Sequence, residues 1–307
     1  MMKKLKSRNA SRRDDEQSLS IAPNNSSANP DIPSDDSANN TKPAPQCSVV
    51  SFYETKIGGV PRQVTVSWTR SLISHSFSIS VEGRENGPLL CRVELKPWPF
   101  RGRKGLREEE VDGDHVKIFW DMRSAKFLEG PEPISSYYIA LVTQDEVVLL
   151  IGDSHKSAYK KSKSRPSLED PILLCKRESA LSKRNFTTRA WFNSGRRKEH
   201  NIVIENSIPG SKDPEMRISI DGKVLISVKN LHWKFRGSEM VFVEQSPVQV
   251  FWDVHDWVFN GPWSQAFFVF KQGTAELLKE YDDDGEMLCD CDNLSGFCFF
   301  LNAWRTE

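Results

Sequence analysis

Alternation with a period of two residues constrains this chain more than any other feature. Val64, Val66 and Trp68 fall on one side of a run whose other side is Thr65, Ser67 and Thr69. Phe77, Ile79 and Val81 alternate with serines and Glu82, and Cys91, Val93 and Leu95 alternate with Arg92, Glu94 and Lys96. Val116, Ile118 and Trp120 repeat the pattern. Successive side chains of an extended strand point to opposite faces, so each run reads as a strand with one buried face. Turn-forming pairs such as Gly58-Gly59, Asn86-Gly87 and Asp112-Gly113 punctuate the runs. Helical periodicity is confined to two stretches, Asp153 to Lys163 and Ala275 to Tyr281. The expected class is all-β, mainly antiparallel, with one or two short helices.

Short strings recur in order along the chain. Ile79-Ser-Val-Glu-Gly83 returns as Ile218-Ser-Ile-Asp-Gly222, and Trp98-Pro-Phe-Arg-Gly102 as Trp233-Lys-Phe-Arg-Gly237. Phe119-Trp-Asp121 returns as Phe251-Trp-Asp253, and Gly130-Pro131 as Gly261-Pro262. Collinear matches that include the rare tryptophan point to two pseudo-repeated units of β-sandwich or barrel type. In both, Trp98/Trp233 and Trp120/Trp252 are expected to anchor cores. The expected organisation is a disordered tail over 1–46, a first β-unit over 47–154 and a basic connector with a short helix over 155–184. A second β-unit then runs over 185–307, with an acidic loop and a closing strand near Phe297 to Trp304. Residues 1–46 contain no aromatic residue and are rich in Ser, Asn and Pro. Such a segment cannot offset its ordering entropy by burial.

Several of these strings resemble the motifs of a plant family catalogued as domain of unknown function 868. They are Trp68-Thr-Arg70, Val93-Glu-Leu-Lys-Pro-Trp-Pro-Phe100, Ile118-Phe-Trp-Asp121 and Gly130-Pro-Glu-Pro133 in the first half. Phe251-Trp-Asp-Val254, Gly296-Phe-Cys-Phe-Phe-Leu301 and Ala303-Trp304 are similar to its second half. The resemblance spans about 47–307. It implies a plant protein with a β-rich fold and supplies no catalytic residues.

Composition excludes several function classes. The 42 Lys+Arg balance the 42 Asp+Glu, which argues against a globally basic nucleic-acid binder. No window approaches the roughly 18 consecutive apolar residues of a membrane helix. The basic N-terminal cluster is followed by Asp14, Asp15 and Glu16 rather than an apolar stretch, so a secretory signal is not expected. The six cysteines are dispersed, as for reduced thiols. The expected location is therefore intracellular, cytoplasmic or nuclear, and not secreted.

Motifs for chemistry are few. Asp282-Asp-Asp-Gly285 cannot be an EF-hand, because Cys291 falls where the bidentate Glu belongs. Cys289-x-Cys291 with Cys298 lacks the second pair that a zinc site requires. Nucleophile elbow, P-loop, dinucleotide fingerprint and HExxH are all missing. No catalytic residue, metal ligand or cofactor is assigned, and an enzyme is the less favoured class. Asp253 and His255 could share one strand face and mark an alternative site, a cleft between the two β-units taking a small ligand or substrate. A structural role for Asp253, satisfying turn amides, is the favoured reading.

The charge balance conceals segregated blocks. Residues 156–198 carry thirteen Lys/Arg against Glu169, Asp170 and Glu178, a net of +10. Lys156, Lys160, Lys161, Lys163 and Arg165 are the densest part and form the candidate anion-binding site. The favoured reading is a non-enzymatic interaction module. Its basic connector would meet an anionic partner, whether phosphoprotein, nucleic acid or lipid headgroup.

Overall fold

A computed structural model describes residues 47–83, 89–95, 102–128, 130–192, 198–208, 211–273 and 296–307. The 1–46 tail, Asn86-Gly87, Trp98, the Ala275 to Tyr281 stretch, Asp282-Asp-Asp-Gly285, Cys289 and Cys291 lie outside the described residues. The fold is mostly β. The chain begins with a four-strand meander: β1 (Cys47–Ile57), β2 (Val60–Arg70), β3 (His75–Val81) and β4 (Leu89–Leu95). A second meander follows in another sheet, with β5 (Lys104–Val111), β6 (Asp114–Asp121), β7 (Tyr138–Thr143) and β8 (Glu146–Gly152). Helix α1 (His155–Ser162) and the short β9 (Arg165–Pro166) lead into β10 (Ile172–Ser182).

The later half also opens with a four-strand meander. A meander of β11 (Asn185–Ala190), β12 (His200–Asn206), β13 (Met216–Ile220) and β14 (Lys223–Val228) forms its own four-stranded sheet. Next come β15 (Arg236–Val243), β16 (Ser246–Asp253), helix α2 (His255–Phe259), β17 (Ser264–Gln272) and β18 (Cys298–Arg305). The expected helix over Asp153 to Lys163 and the closing strand are thus both present, within two residues of the expected bounds.

One nine-stranded sheet takes strands from both ends of the chain, in the order β15-β16-β17-β18-β10-β1-β2-β3-β4. Strand β10 makes the join: it is antiparallel to β1 and parallel to β18. The stretch expected to be a connector thus contributes the central strand of the largest sheet. The five-stranded sheet, β5 to β9, covers the β1–β4 end. Its contact is aromatic, with Trp68 edge-on to Tyr137 at 5.8 Å and Phe77 edge-on to Trp120 at 6.0 Å. The four-stranded sheet covers the other end through Phe192 against Phe270 at 6.2 Å, and Phe186 stacks on Trp257 of α2 at 5.1 Å. Trp68, Phe77, Phe186, Trp257 and Phe270 are all fully buried. Full burial of one such ring stabilises by about 1.5–3 kcal/mol, so these contacts define where the core sits.

The recurring tryptophans behave differently from one another. Trp120 lies across Gly105, its partner in the β5–β6 ladder, and its indole N–H donates to the Gly102 carbonyl at 2.7 Å. Trp252 lies across Gly237 in the β15–β16 ladder and donates to the Lys234 carbonyl at 3.3 Å. Gly237 therefore corresponds in pairing to Gly105, not to Gly102 as the string match implied. Trp233 is 88% exposed and anchors nothing, which corrects the expected core role. The motif Trp-x-Phe-Arg-Gly sits three residues out of step with the ladder, so its tryptophan lands on a surface turn.

Candidate functional site

Strand β7 is buried at every position. Ile139 and Leu141 face the main core, while Tyr138, Ala140 and Val142 face a second small core. Helix α1 covers that second face by inserting Ala158, which is fully buried, with Tyr159 beside it. The helix ends where Lys163 adopts a left-handed conformation (φ 57°) and its N–H returns to the Tyr159 carbonyl at 2.9 Å. Lys160 and Lys161 occupy the last turn, where positive charge is favoured by the helix dipole.

All five candidate anion-binding residues, Lys156, Lys160, Lys161, Lys163 and Arg165, are exposed. Arg165 lies on β9 and pairs with Glu146 at 2.5 Å. The four lysines have no acidic partner among the described residues. Of the other basic residues of the 155–184 stretch, Lys183 and Arg184 are exposed, whereas Lys176 and Arg177 contact the fold. Lys176 on β10 is 3% exposed and donates to the Arg189 carbonyl at 3.0 Å. Arg177, on the opposite face, lies 5.2 Å from the Phe52 ring and 5.5 Å from the Phe300 ring.

Lys176 opens onto a cleft of about 480 Å³ between the 126–135 loop and strands β10 to β12. An adjoining space of about 260 Å³ shares Glu132, Ile134 and Arg189 with it and reaches Tyr137, Asp153, Trp191 and Glu199. Polar groups converge here. Lys176 lies 3.5 Å from the Glu132 carboxylate and 5.6 Å from the Trp191 ring. Arg189 pairs with Glu199 at 2.8 Å. The Thr188 hydroxyl donates to Glu178. Burial pushes the Glu178 carboxyl above its ordinary range, against the opposing pull of Lys176 and the Thr188 hydroxyl. At the far side, backbone N–H groups of Ser136 and Tyr137 hold the Asp153 carboxyl low. The arrangement is a polar pocket with its carboxylates partly neutralised from within.

The alternative pair, Asp253 and His255, does not line this cleft. Asp253 accepts from the His255 backbone N–H at 3.0 Å and from Arg236 at 2.8 Å. Asp121 does the same for the Arg123 N–H at 3.2 Å and the Arg123 guanidinium. The His255 ring contacts Asp256 and packs on Phe235 and Phe259. Sequence reasoning missed Glu132, Lys176, Glu178 and Arg189. In sequence their charges look solvated, and only the pairing of β10 with β1 and β18 turns Lys176 inward.

His200, Asp221 and Glu244 bring three ligand-type atoms within 4.8 Å of one another. The Lys198 ammonium already lies against both carboxylates, 3.4 Å from Asp221 and in contact with Glu244. The His200 Nδ1–H donates to the Asp221 carboxylate, 2.9 Å away, which gives the buried imidazole its partner. These groups form a charge-compensated cluster. Among the described residues no helix is long and apolar enough to cross a membrane.

No curated protein and no solved structure matches the chain. A family model, plant protein of unknown function (DUF868), matches residues 44–305, from just before β1 through the end of β18. With that match spanning both ends of the nine-stranded sheet, the chain belongs to the DUF868 family of plant proteins.

Proposed function

We propose that the protein is a non-enzymatic interaction module, working inside the cell, that docks its α1–β9 lysine face onto a phosphate-bearing partner. The observation that carries this reading is the state of Lys156, Lys160, Lys161 and Lys163: exposed, close in sequence and without an acidic partner among the described residues. Unpaired ammonium groups on a rigid element attract phosphates through a field that salt screens. The face presents Lys side chains, which act as point charges, and no exposed aromatic ring for stacking on bases. It is suited to phosphate groups rather than to base edges. The test is binding of the full chain to duplex DNA, to anionic-lipid vesicles and to a phosphopeptide. The Lys156, Lys160, Lys161 and Lys163 to Ala variant is expected to lose binding to whichever of the three the protein recognises. Unchanged binding by that variant would sink the assignment.

A second reading has its own observation. The cleft beside Lys176 has the volume and convergent polar groups of a small-ligand site. A ligand entering it would change Trp191 fluorescence, and the change would be missing in Trp191→Phe.

A further inference from the structure

Arg305, the last residue of β18, carries a buried guanidinium that no described carboxylate neutralises. It is 4% exposed, and its Nη2 donates to the Gly261 carbonyl at 2.8 Å. Among the described residues its Nε and Nη1 have no hydrogen-bond partner and no carboxylate pairs with it. Directly across the β17–β18 ladder stands Ser264, 6% exposed, whose hydroxyl also lacks a partner. Residues opposite one another in an antiparallel pair point to the same side of the sheet. Ser264 and Arg305 share the inward face with Ala266 and Ala303, both fully buried. The turn next to them is held in an uncommon shape: Gly261 has φ 70° and Trp263, a bulky residue, has φ 60°. Trp263 is fixed there by its N–H to the Arg305 carbonyl at 2.8 Å, with its ring 60% exposed. Burial lowers the affinity of Arg305 for its proton.

A buried cation without a counter-charge is strongly unfavourable, and unsatisfied buried donors mark the place of a missing water or ion. We propose that Arg305 and Ser264 form a binding site for a small oxyanion, a carboxylate or phosphate group seated by the Gly261–Trp263 turn. The oxyanion accepts from the unpartnered Arg305 donors and from the Ser264 hydroxyl. A charge-assisted hydrogen bond is the strongest kind available in such a setting, and guanidinium matches oxyanions in shape as well as charge. This site lies on β17, β18 and the turn before β17, elements other than α1 and β9, and does not depend on the lysine face.

The test titrates the full chain with sodium phosphate and, separately, sodium acetate at constant ionic strength. Thermal unfolding and the Arg305 Nε–Hε resonance in 15N NMR are followed together. A saturable rise in the unfolding temperature is expected with at least one anion, accompanied by a shift of that resonance. Phosphate acting alone identifies a phosphate-type ligand, and acetate acting alone a carboxylate. Ser264→Ala is expected to weaken the response on the order of tenfold, as loss of one hydrogen bond to a charged group does. Arg305→Gln is expected to abolish it. Should Arg305→Gln fail to fold, the wild-type resonance and Ser264→Ala still decide. The site is overturned if neither anion gives a saturable response, or if Ser264→Ala responds as the wild type does.

Discussion

Trp120 and Trp252 close their hairpins in the same way, each lying over a glycine on the neighbouring strand. A Cβ built on Gly105 would stand 2.3 Å from Trp120, and one on Gly237 would stand 2.3 Å from Trp252. Neither position has room for even a methyl group unless the indole moves. Gly105→Ala and Gly237→Ala are each expected to cost about 1–3 kcal/mol in urea unfolding. Gly105→Ala is expected to cost more, because Trp120 is the more buried indole and bonds the shorter distance. Asp153 acts at the same scale through charge. Its folded-state carboxyl binds a proton less tightly than in the unfolded chain, because the Ser136 and Tyr137 amides favour the anion. That stabilisation is complete above the unfolded value of about 4 and is lost as pH falls through the lowered folded value. Asp153→Asn is expected to flatten the acid limb of stability measured from pH 5 downward.

At the scale of the element, β10 governs the centre of the molecule. It pairs with β1 on one side and β18 on the other, and it turns Lys176 into the cleft. Lys176→Met keeps most of the packing but leaves Glu132 and Glu178 without their ammonium. The expected loss is about 3 kcal/mol, the scale of breaking a buried ion pair. Adding Glu178→Gln to Lys176→Met is expected to recover part of it, which denaturant unfolding of both variants would show. The strands themselves were legible because alternation is local: Val64, Val66 and Trp68 announce β2 without reference to any partner. Helix α1 was legible from its own periodicity. The role of β10 was not, since its partners β1 and β18 lie more than a hundred residues away from it or from each other in sequence. Turn chemistry was legible only where glycine signals it. Gly58-Gly59 and Asp112-Gly113 take left-handed conformations as expected, but Gln144-Asp145 and Glu244-Gln245 adopt them without glycine. The basic face of α1 was legible as charge, whereas the cleft needed burial to become visible.

The nine-stranded sheet ties the early and late meanders together across the whole molecule. The described body is therefore expected to unfold in one cooperative transition, with fluorescence and circular dichroism midpoints coinciding. A fragment spanning 185–307 lacks β10 and exposes the long edge of β18, so it is expected to show no cooperative transition, while one spanning 170–307 regains it. The proposed function resides on a surface rather than in the sheet: Lys156, Lys160 and Lys161 on α1 and Lys163 at its C-terminal cap, with no acidic partner among the described residues. Counter-ion release gives the most direct measure of that face. Each phosphate contact contributes a slope of about −0.9 to the logarithm of affinity for duplex DNA against the logarithm of salt concentration. The measurement is that slope for the full chain and for the Lys156, Lys160, Lys161 and Lys163 to Ala variant. The account predicts a slope shallower by roughly 3 to 4 in the variant when all four lysines engage. An identical slope and affinity in the two proteins, for duplex DNA, anionic vesicles and the phosphopeptide alike, would contradict it.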